Sequence, residues 1–279
     1  MFVTRFAPSP TGYLHRGHAF SALTAHEAAR EAAGRFLLRV EDIDATRCRP
    51  EYEAAIYEDL AWLGLSWEEP VRRQSEHLND YQAALDRLAA AGLLYRCFRT
   101  RREVAEEIAR APHGAMEVFR GAPLPAEEEA RRLAAGEPFA WRLSLDEAER
   151  KLGGFDELTF VEEGDGAART IQARPELGGD VVLARKDVGV AYHLAVVFDD
   201  ALQGVTHVIR GEDLAEATHV QRLLQALLGL PTPVYRHHRL LTGPDGRRFA
   251  KRDRAETLQD LRNRGVTAQD LRRELGFAA

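Results

Sequence analysis

The chain opens on "FVTRFA" (2–7), a short run of bulky and β-branched residues that stops at Pro8 and predicts a strand. The alanine-rich stretch "HAFSALTAHEAAREAAG" (18–34) predicts a helix closed by Gly34. "RFLLRVEDID" (35–44) is an apolar strand that runs into three acids. Tyr52, Ile56, Leu60 and Leu63 recur near the helical period and predict a helix over Glu51 to Gly64. Leu78, Tyr81, Leu85 and Leu88 do the same for Ser75 to Gly92. Strand, helix, strand, helix in that order implies a parallel sheet with helices on its faces.

From about Tyr95 to Lys186 the rhythm is lost, and the chain becomes acidic and punctuated by proline. This reads as a module inserted into the sheet. Apolar strands are then expected in "VAYHLAVVFDD" (190–200) and "GVTHVIRGEDL" (204–214), followed by a helix over 217–229 capped by Gly229. Two short helical stretches close the chain, divided at Gly265, with Thr267 and Asp270 as a helix-start pair. The expected class is therefore α/β: a Rossmann-like parallel sheet with an inserted α+β module and a short helical C-terminal segment. Its expected divisions are 1–95 and 187–240 for the two halves of the nucleotide-binding domain, 96–186 for the insert, and 241–279 for a loop and helical tail.

Composition refines this reading. With 279 residues and 45% hydrophobic content a buried core is expected, while 29% charged residues mark a soluble chain. The net charge of −6 argues at first against nucleic acid, but the charge is unevenly spread. Glu117 to Glu163 holds 6 basic and 12 acidic residues, whereas Arg236 to Arg254 holds 7 basic and 2 acidic ones. A local basic stretch can face a polyanion although the whole chain is acidic, and it can equally be a solvated loop. Cys48 and Cys97, the only cysteines, cannot form a disulfide framework or by themselves close a zinc site. The N-terminus has no apolar signal core and no run reaches membrane-spanning length, so a cytoplasmic protein with no membrane partner is expected.

The chemistry starts at "PSPTGYLHRGHAFS" (8–21), where His15 and His18 bracket Arg16 and Gly17 at the mouth of the first helix. A strand, a tight turn and a helix N-terminus make an anion site, because free backbone N–H groups and the helix dipole face the anion. Gly17 lets the backbone approach a phosphate closely. The two imidazoles add donors suited to an α-phosphate that gains charge during attack. Taken alone, the same two histidines are also compatible with capping or surface roles.

"RFAPSPTGYLHRGH" resembles the first signature of class I aminoacyl-tRNA synthetases, and "RFAKR" (248–252) resembles the second. "LLRVEDIDATR", "AYHLAVVFDDALQGVTHVIRGEDL" and "VYRHHRLLTGPDGRRFAKR" are similar to the glutamyl branch of that family, in the family's order and across nearly the whole chain. The chain runs only 27 residues past Arg252, which resembles the short glutamyl-Q tRNA(Asp) synthetase paralogues rather than members with an anticodon-binding region. The resemblance implies activation of L-glutamate with ATP and Mg²⁺. It further implies transfer of the glutamate to queuosine in the anticodon arm of tRNA(Asp), by a monomeric ligase. Charging of a tRNA 3′ end, adenylation of a small molecule by a related nucleotidyltransferase, and a non-catalytic tRNA-binding paralogue are the other readings.

By the same resemblance His15, Gly17, His18 and Lys251 handle ATP, with His15, His18 and Lys251 catalytic. Arg5, Ser9, Glu41, Tyr192 and Arg210 would hold the glutamate. Arginine can grip a carboxylate through two parallel bonds, and a substrate with two carboxylates needs fixed positive charge. Each residue also has a plainer reading. Arg210 could pair with Glu212 or Asp213, Glu41 with Arg47, Tyr192 could be a core aromatic and Ser9 a turn residue. His193 falls where the family often carries Asn, which leaves its role open. Arg248 and Ala250 replace a lysine and a serine of the second signature. In "YRCFRTRR", Arg99 stands where related chains carry the second cysteine of a zinc site. Arginine cannot ligate zinc, so no zinc and a packing role for Cys97 are expected.

Overall fold

The computed structural model describes residues 1–109, 118–164, 167–185, 189–241 and 256–278. The first stretch contains β1 (Val3–Phe6), α1 (Arg16–Glu31), β2 (Arg35–Val40), α2 (Pro50–Trp62), β3 (Glu68–Arg73), α3 (Leu78–Ala90), β4 (Leu94–Cys97) and α4 (Arg101–Ala109). Next come α5 (Ala126–Ala134), β5 (Ala140–Leu143), α6 (Leu145–Leu152), β6 (Thr159–Glu162), β7 (Arg169–Gln172), β8 (Val182–Arg185) and β9 (Gly189–Val190). The chain then forms α7 (Tyr192–Leu202), β10 (His207–Gly211), α8 (Ala215–Leu228), β11 (Val234–His238), α9 (Leu258–Asn263) and α10 (Ala268–Glu274).

The parallel sheet implied by the sequence is present. β1 pairs in parallel with β2, and β2 with β3. β10 pairs in parallel with β11, which pairs in parallel with β6. The two groups meet where Thr206 N donates to Val3 O at 2.9 Å and Val3 N donates to Thr206 Oγ1 at 2.9 Å. Together they give the Rossmann-like α/β arrangement expected from the sequence. One apolar core lies among α3, α7 and α8, around Leu85, Leu194 and Leu223. A second lies among α1, α2, α9 and α10, around Leu23, Ile56, Leu258 and Leu271. The C-terminal helices are thus packed into the same body as the first helix.

Two local readings need correction and one strand was missed. "VAYHLAVVFDD" is not a strand but the helix α7. Leu194, Ala195, Val196 and Val197 are all buried, so the segment has no polar face to reveal a helical period. β3 was invisible because "EEPVRR" is a polar edge strand carrying a proline, which only an edge tolerates. Gly34 does not close α1 through a left-handed turn, since Ala33 takes that conformation with φ 47°. Gly34 is required for close approach instead: a Cβ there would lie 2.4 Å from the carbonyl oxygen of Phe2. Gly229, by contrast, caps α8 with φ 65° as expected.

Between β4 and β9 the chain builds an antiparallel sheet in the order β4-β5-β8-β9. The hairpin β6–β7 leaves that sheet and joins β11. Among the described residues no helix is long and apolar enough to cross a membrane.

Candidate active site

The carboxyl ends of β1, β2 and β10 open on the same side, where ligands of open α/β sheets bind. Beyond β1 the chain passes Pro8, Ser9 and Pro10 before entering α1 through His15. His15 is the N-cap in extended conformation, and its Nδ1 accepts from Gly17 N at 3.1 Å. His18 returns the bond, its Nδ1 accepting from His15 N at 3.1 Å. This is a capping box built from two histidines, with ring centroids 3.8 Å apart. The capping and anion-binding readings are therefore compatible. The Gly17 N–H is held by the His15 side chain in the free protein. A Cβ at Gly17 would lie 3.0 Å from the His15 ring, so glycine keeps this turn tight.

The turn forms one wall of a cleft of about 330 Å³, shared with Ser21, Gly211 and Arg239, a size fit for a small-molecule ligand. The Arg239 guanidinium lies over the Phe20 ring at 5.4 Å, and His238 Nε2 is 3.1 Å from Ser21 Oγ. Gly211 is another position where space decides the residue: a Cβ would meet Asp213 Oδ1 at 2.5 Å. None of Ser21, Gly211, His238 and Arg239 was singled out from the sequence. The signal was the end of "THVIRGEDL", where the strand must turn beside the ligand.

Arg210, next to Gly211 on β10, faces a second, more buried region. Arg210 is 5% exposed, and its guanidinium makes four hydrogen bonds, none of them to a carboxylate. It donates to Gln221 Oε1 at 2.9 Å, Thr218 Oγ1 at 2.6 Å, the Leu214 carbonyl at 3.1 Å and His237 Nε2 at 3.1 Å. Glu212 and Asp213, the structural partners considered from the sequence, do not pair with it. Among the described residues Arg210 makes no ion pair. Its charge acts on Tyr192, whose hydroxyl is pushed up by burial and by Glu41 and pulled back by Arg210 and Arg5. Tyr192, Arg210, Glu41 and Arg5 are thus electrostatic neighbours, although they come from four separate elements or element ends. Ser9 joins them through Glu41, donating to its carbonyl oxygen at 2.5 Å, while Glu41 N donates to the Pro8 carbonyl at 3.0 Å. Burial raises the Glu41 carboxyl above its ordinary range, against the pull of Arg39 and Arg5.

Behind this region lies a buried charge network that sequence reasoning missed. Arg5 Nε donates to Asp200 Oδ1 at 2.9 Å. Arg39, with no exposed surface, donates to Asp200 at 2.8 Å and to Glu41 Oε1 at 3.2 Å. Arg5 and Glu41 are therefore linked through Asp200 and Arg39. Burial opposes ionisation of Asp200, but Arg5 and Arg39 together hold its carboxyl below the ordinary range. The adjacent Asp199 is equally buried and accepts from Arg72, Gln74 and Tyr81. The network could have been suspected only from the pair of acids ending an apolar run, "VVFDD".

In the insert, Cys97 is buried against Tyr95 and Phe119. The Arg99 guanidinium lies 5.6 Å from the Phe119 ring centroid and that of Arg142 4.4 Å from it. Among the described residues no three histidine, cysteine or acidic side chains are grouped as a metal site. Lys251, Arg248 and Ala250 lie outside the described residues.

Residues 1–277 match the family model for the catalytic domain of class I tRNA synthetases, E and Q type. The chain belongs to this family. As such it is a ligase of the aminoacyl-tRNA synthetase type. It is 47% identical over 290 aligned positions to the Glutamyl-Q tRNA(Asp) synthetase of Rhodobacter capsulatus, covering 99% of this chain and 100% of that one. The Glutamate--tRNA ligase 2 of Dinoroseobacter shibae is 40% identical over 95% of this chain but only 58% of its own. Among solved structures, the glutamate tRNA ligase of Elizabethkingia meningosepticum, in complex with its amino acid, superimposes with a TM-score of 0.73 at 29% identity. That match takes in 90% of this synthetase, which spans about half, 52%, of the solved ligase.

Proposed function

We propose that this synthetase activates L-glutamate with ATP and transfers it to the queuosine nucleoside in the anticodon of tRNA(Asp). The observation that carries the choice of amino acid is Arg210, a buried guanidinium at the end of β10 that makes no direct ion pair among the described residues. Glu162, whose carboxyl its charge lowers, lies behind His237, so a substrate carboxylate could pair with Arg210 directly. Glu41, which ends β2, supplies the opposite sign for the substrate ammonium. The Tyr192 hydroxyl lies in the field of both. Arg5, tied to Asp200, shapes this field from behind and is the second cation toward the substrate.

With the side-chain carboxylate at Arg210 and the ammonium at Glu41, the remaining α-carboxylate is left to face the cleft at His15, Gly17 and His18. One of its oxygens forms a bond to the α-phosphorus of ATP as the bond to pyrophosphate breaks. The product is glutamyl-adenylate. ATP enters as its Mg²⁺ complex, and zinc takes no part. His15, His18 and the Gly17 N–H stabilise charge on the α-phosphate, and Lys251 neutralises the phosphates. Positioning and electrostatics carry such a phosphoryl-centre substitution without a covalent enzyme intermediate. In the second step a queuosine hydroxyl attacks the glutamyl carbonyl carbon, an ester forms and AMP leaves.

Relatives 40–47% identical to this chain bear the glutamyl-Q name, which supports the anticodon nucleoside as acceptor. The basic stretch from Arg236 to Arg254 would face the RNA. Splayed anticodon bases are a common target for sequence-specific RNA recognition. We place the protein in the cytoplasm, as a monomer. The test uses isolated anticodon arms of tRNA(Asp), with and without queuosine, and radioactive glutamate. Label should pass only to the queuosine arm and be released by mild alkali, as an ester is. Labelling that ignores queuosine and requires an intact terminal adenosine would overturn the assignment in favour of 3′-end charging.

A further inference from the structure

Arg16 stands between the two histidines and beside Gly17, at the first position of α1. An arginine at the first position of α1 is electrostatically wrong for the helix, whose N-terminal end is positive and whose first turn holds no acid. The structure shows where its charge goes. Arg16 Nη1 is 2.9 Å from Glu256 Oε2, and Arg16 Nε is 2.8 Å from Glu274 Oε1. Glu274 ends α10, while Glu256 directly precedes Thr257, the N-cap of α9. Arg264 pairs with the same Glu256.

The backbone meets at the same place. His15 and Thr257 form an isolated antiparallel bridge, and Leu258 N donates to the Leu14 carbonyl at 2.8 Å. Leu14 and Leu258 are both buried. So the chain that enters α9 is held to the phosphate turn by backbone, by apolar packing and by one guanidinium.

Resting on the ATP site proposed above, we infer that Arg16 is a positioning residue for ATP. It fixes the C-terminal helices α9 and α10 against the turn of His15, Gly17 and His18. Its partners are Glu256 and Glu274, and it acts through them rather than by touching the reacting atoms. The side chain is partly exposed, which makes the clamp sensitive to salt as well as to substitution.

The test compares the parent with Arg16→Met, Arg16→Lys, Glu256→Gln and the Arg16→Met/Glu256→Gln double variant. Each is measured by glutamate-dependent exchange between pyrophosphate and ATP, alongside its thermal midpoint. Arg16→Met should raise KM for ATP about tenfold and leave KM for glutamate unchanged, with Arg16→Lys recovering part of the loss. The double variant should lose less than the sum of the two single losses, because both substitutions remove the Arg16–Glu256 pair. An unchanged KM for ATP in Arg16→Met, equal losses in both KM values, or additive losses in the double variant would each overturn the inference. Should Arg16→Met fail to fold, Glu256→Gln must by itself raise KM for ATP. A parent without exchange activity would count against the proposed function instead. The clamp is then read by calorimetric titration of ATP, where the same variants must weaken binding or the inference fails.

Discussion

Arg5 and Asp200 form a buried ion pair, Nε to Oδ1 at 2.9 Å, in which the aspartate also accepts from the fully buried Arg39. Asp200 therefore joins two guanidinium groups, and Arg39 is also paired with Glu41 at 3.2 Å and with Asp199 at 3.7 Å. The pocket residues at the ends of β1 and β2 are held by a group on α7, far away in sequence. Breaking a buried pair by removing one charge costs roughly 3–5 kcal/mol, because the partner is left uncompensated. Asp200→Asn should lower the stability read from urea unfolding by that order. It should also weaken glutamate binding, since Glu41 loses its support through Arg39. An Asp200→Asn variant with parental stability would show that Arg5 and Arg39 find other partners.

Arg210→Leu should abolish glutamate recognition and spare ATP binding. In the free protein Arg210 makes no direct ion pair among the described residues, and Glu162, whose carboxyl its charge lowers, keeps His237 as its partner when Arg210 is lost. The loss should appear when the substrate carboxylate arrives and finds no cation, at roughly 2–5 kcal/mol for a desolvated charge pair. Glutamate-dependent pyrophosphate exchange should fall to background while a calorimetric ATP titration stays parental. Equal glutamate affinity in variant and parent would give Arg210 a structural role, organising Thr218, Gln221 and His237.

Arg210 was legible in the sequence because it ends an apolar strand, where a charged residue has few reasons to be. His15, Gly17 and His18 were legible as a turn before a helix, although their mutual capping is a matter of side-chain geometry that spacing does not express. Asp199 and Asp200 were not legible. They end a run read as a strand, in which neighbours point to opposite faces, whereas α7 buries both. Arg39 was hidden for a related reason: inside "FLLRV" a lone arginine gives no hint of which acids surround it. Buried networks of this kind join residues about 160 to 195 positions apart, and only the fold brings them together.

Asp59 on α2 is fully buried and pairs with Arg262 of α9 at 3.0 Å, while its two oxygens make no hydrogen bond. Burial, with a smaller push from Glu58 and against the pull of Arg262, raises its carboxyl to about 6. An unfolded aspartate titrates near 4. Between those values the folded protein binds more protons than the unfolded chain, so this group's contribution to stability falls as pH rises from about 4 to 6. Asp59→Asn should remove that fall. Unfolding free energies of parent and variant, measured from pH 4 to pH 7, should converge at the acid end and diverge toward neutrality. Parallel curves would exclude Asp59 as a titrating group in this window.

His193 should produce the opposite slope. It follows Tyr192 at the start of α7, with ring centroids 5.4 Å apart, and its Nδ1 is buried without a hydrogen-bond partner. Burial, assisted by the charge of Arg210, lowers its pKa to about 4, so the ring is neutral at physiological pH. An unfolded histidine titrates near 6.5. Between the two values the unfolded chain binds more protons, so stability is fully present above about pH 6.5 and is lost as pH falls toward 4. The shift corresponds to roughly 3 kcal/mol, at about 1.4 kcal/mol per pKa unit. His193→Asn keeps a polar side chain but cannot take up the proton. The parent should lose that amount relative to His193→Asn between pH 7 and pH 4, and NMR titration of the His193 ring should show no protonation above pH 5. Protonation would also set a second positive charge near Arg210. If glutamate is bound there, its KM in the parent but not in the variant should respond to acid in step with the ring signal. A ring that titrates near 6.5, or a variant with the parent's pH profile, would separate His193 from the buried charge of Arg210.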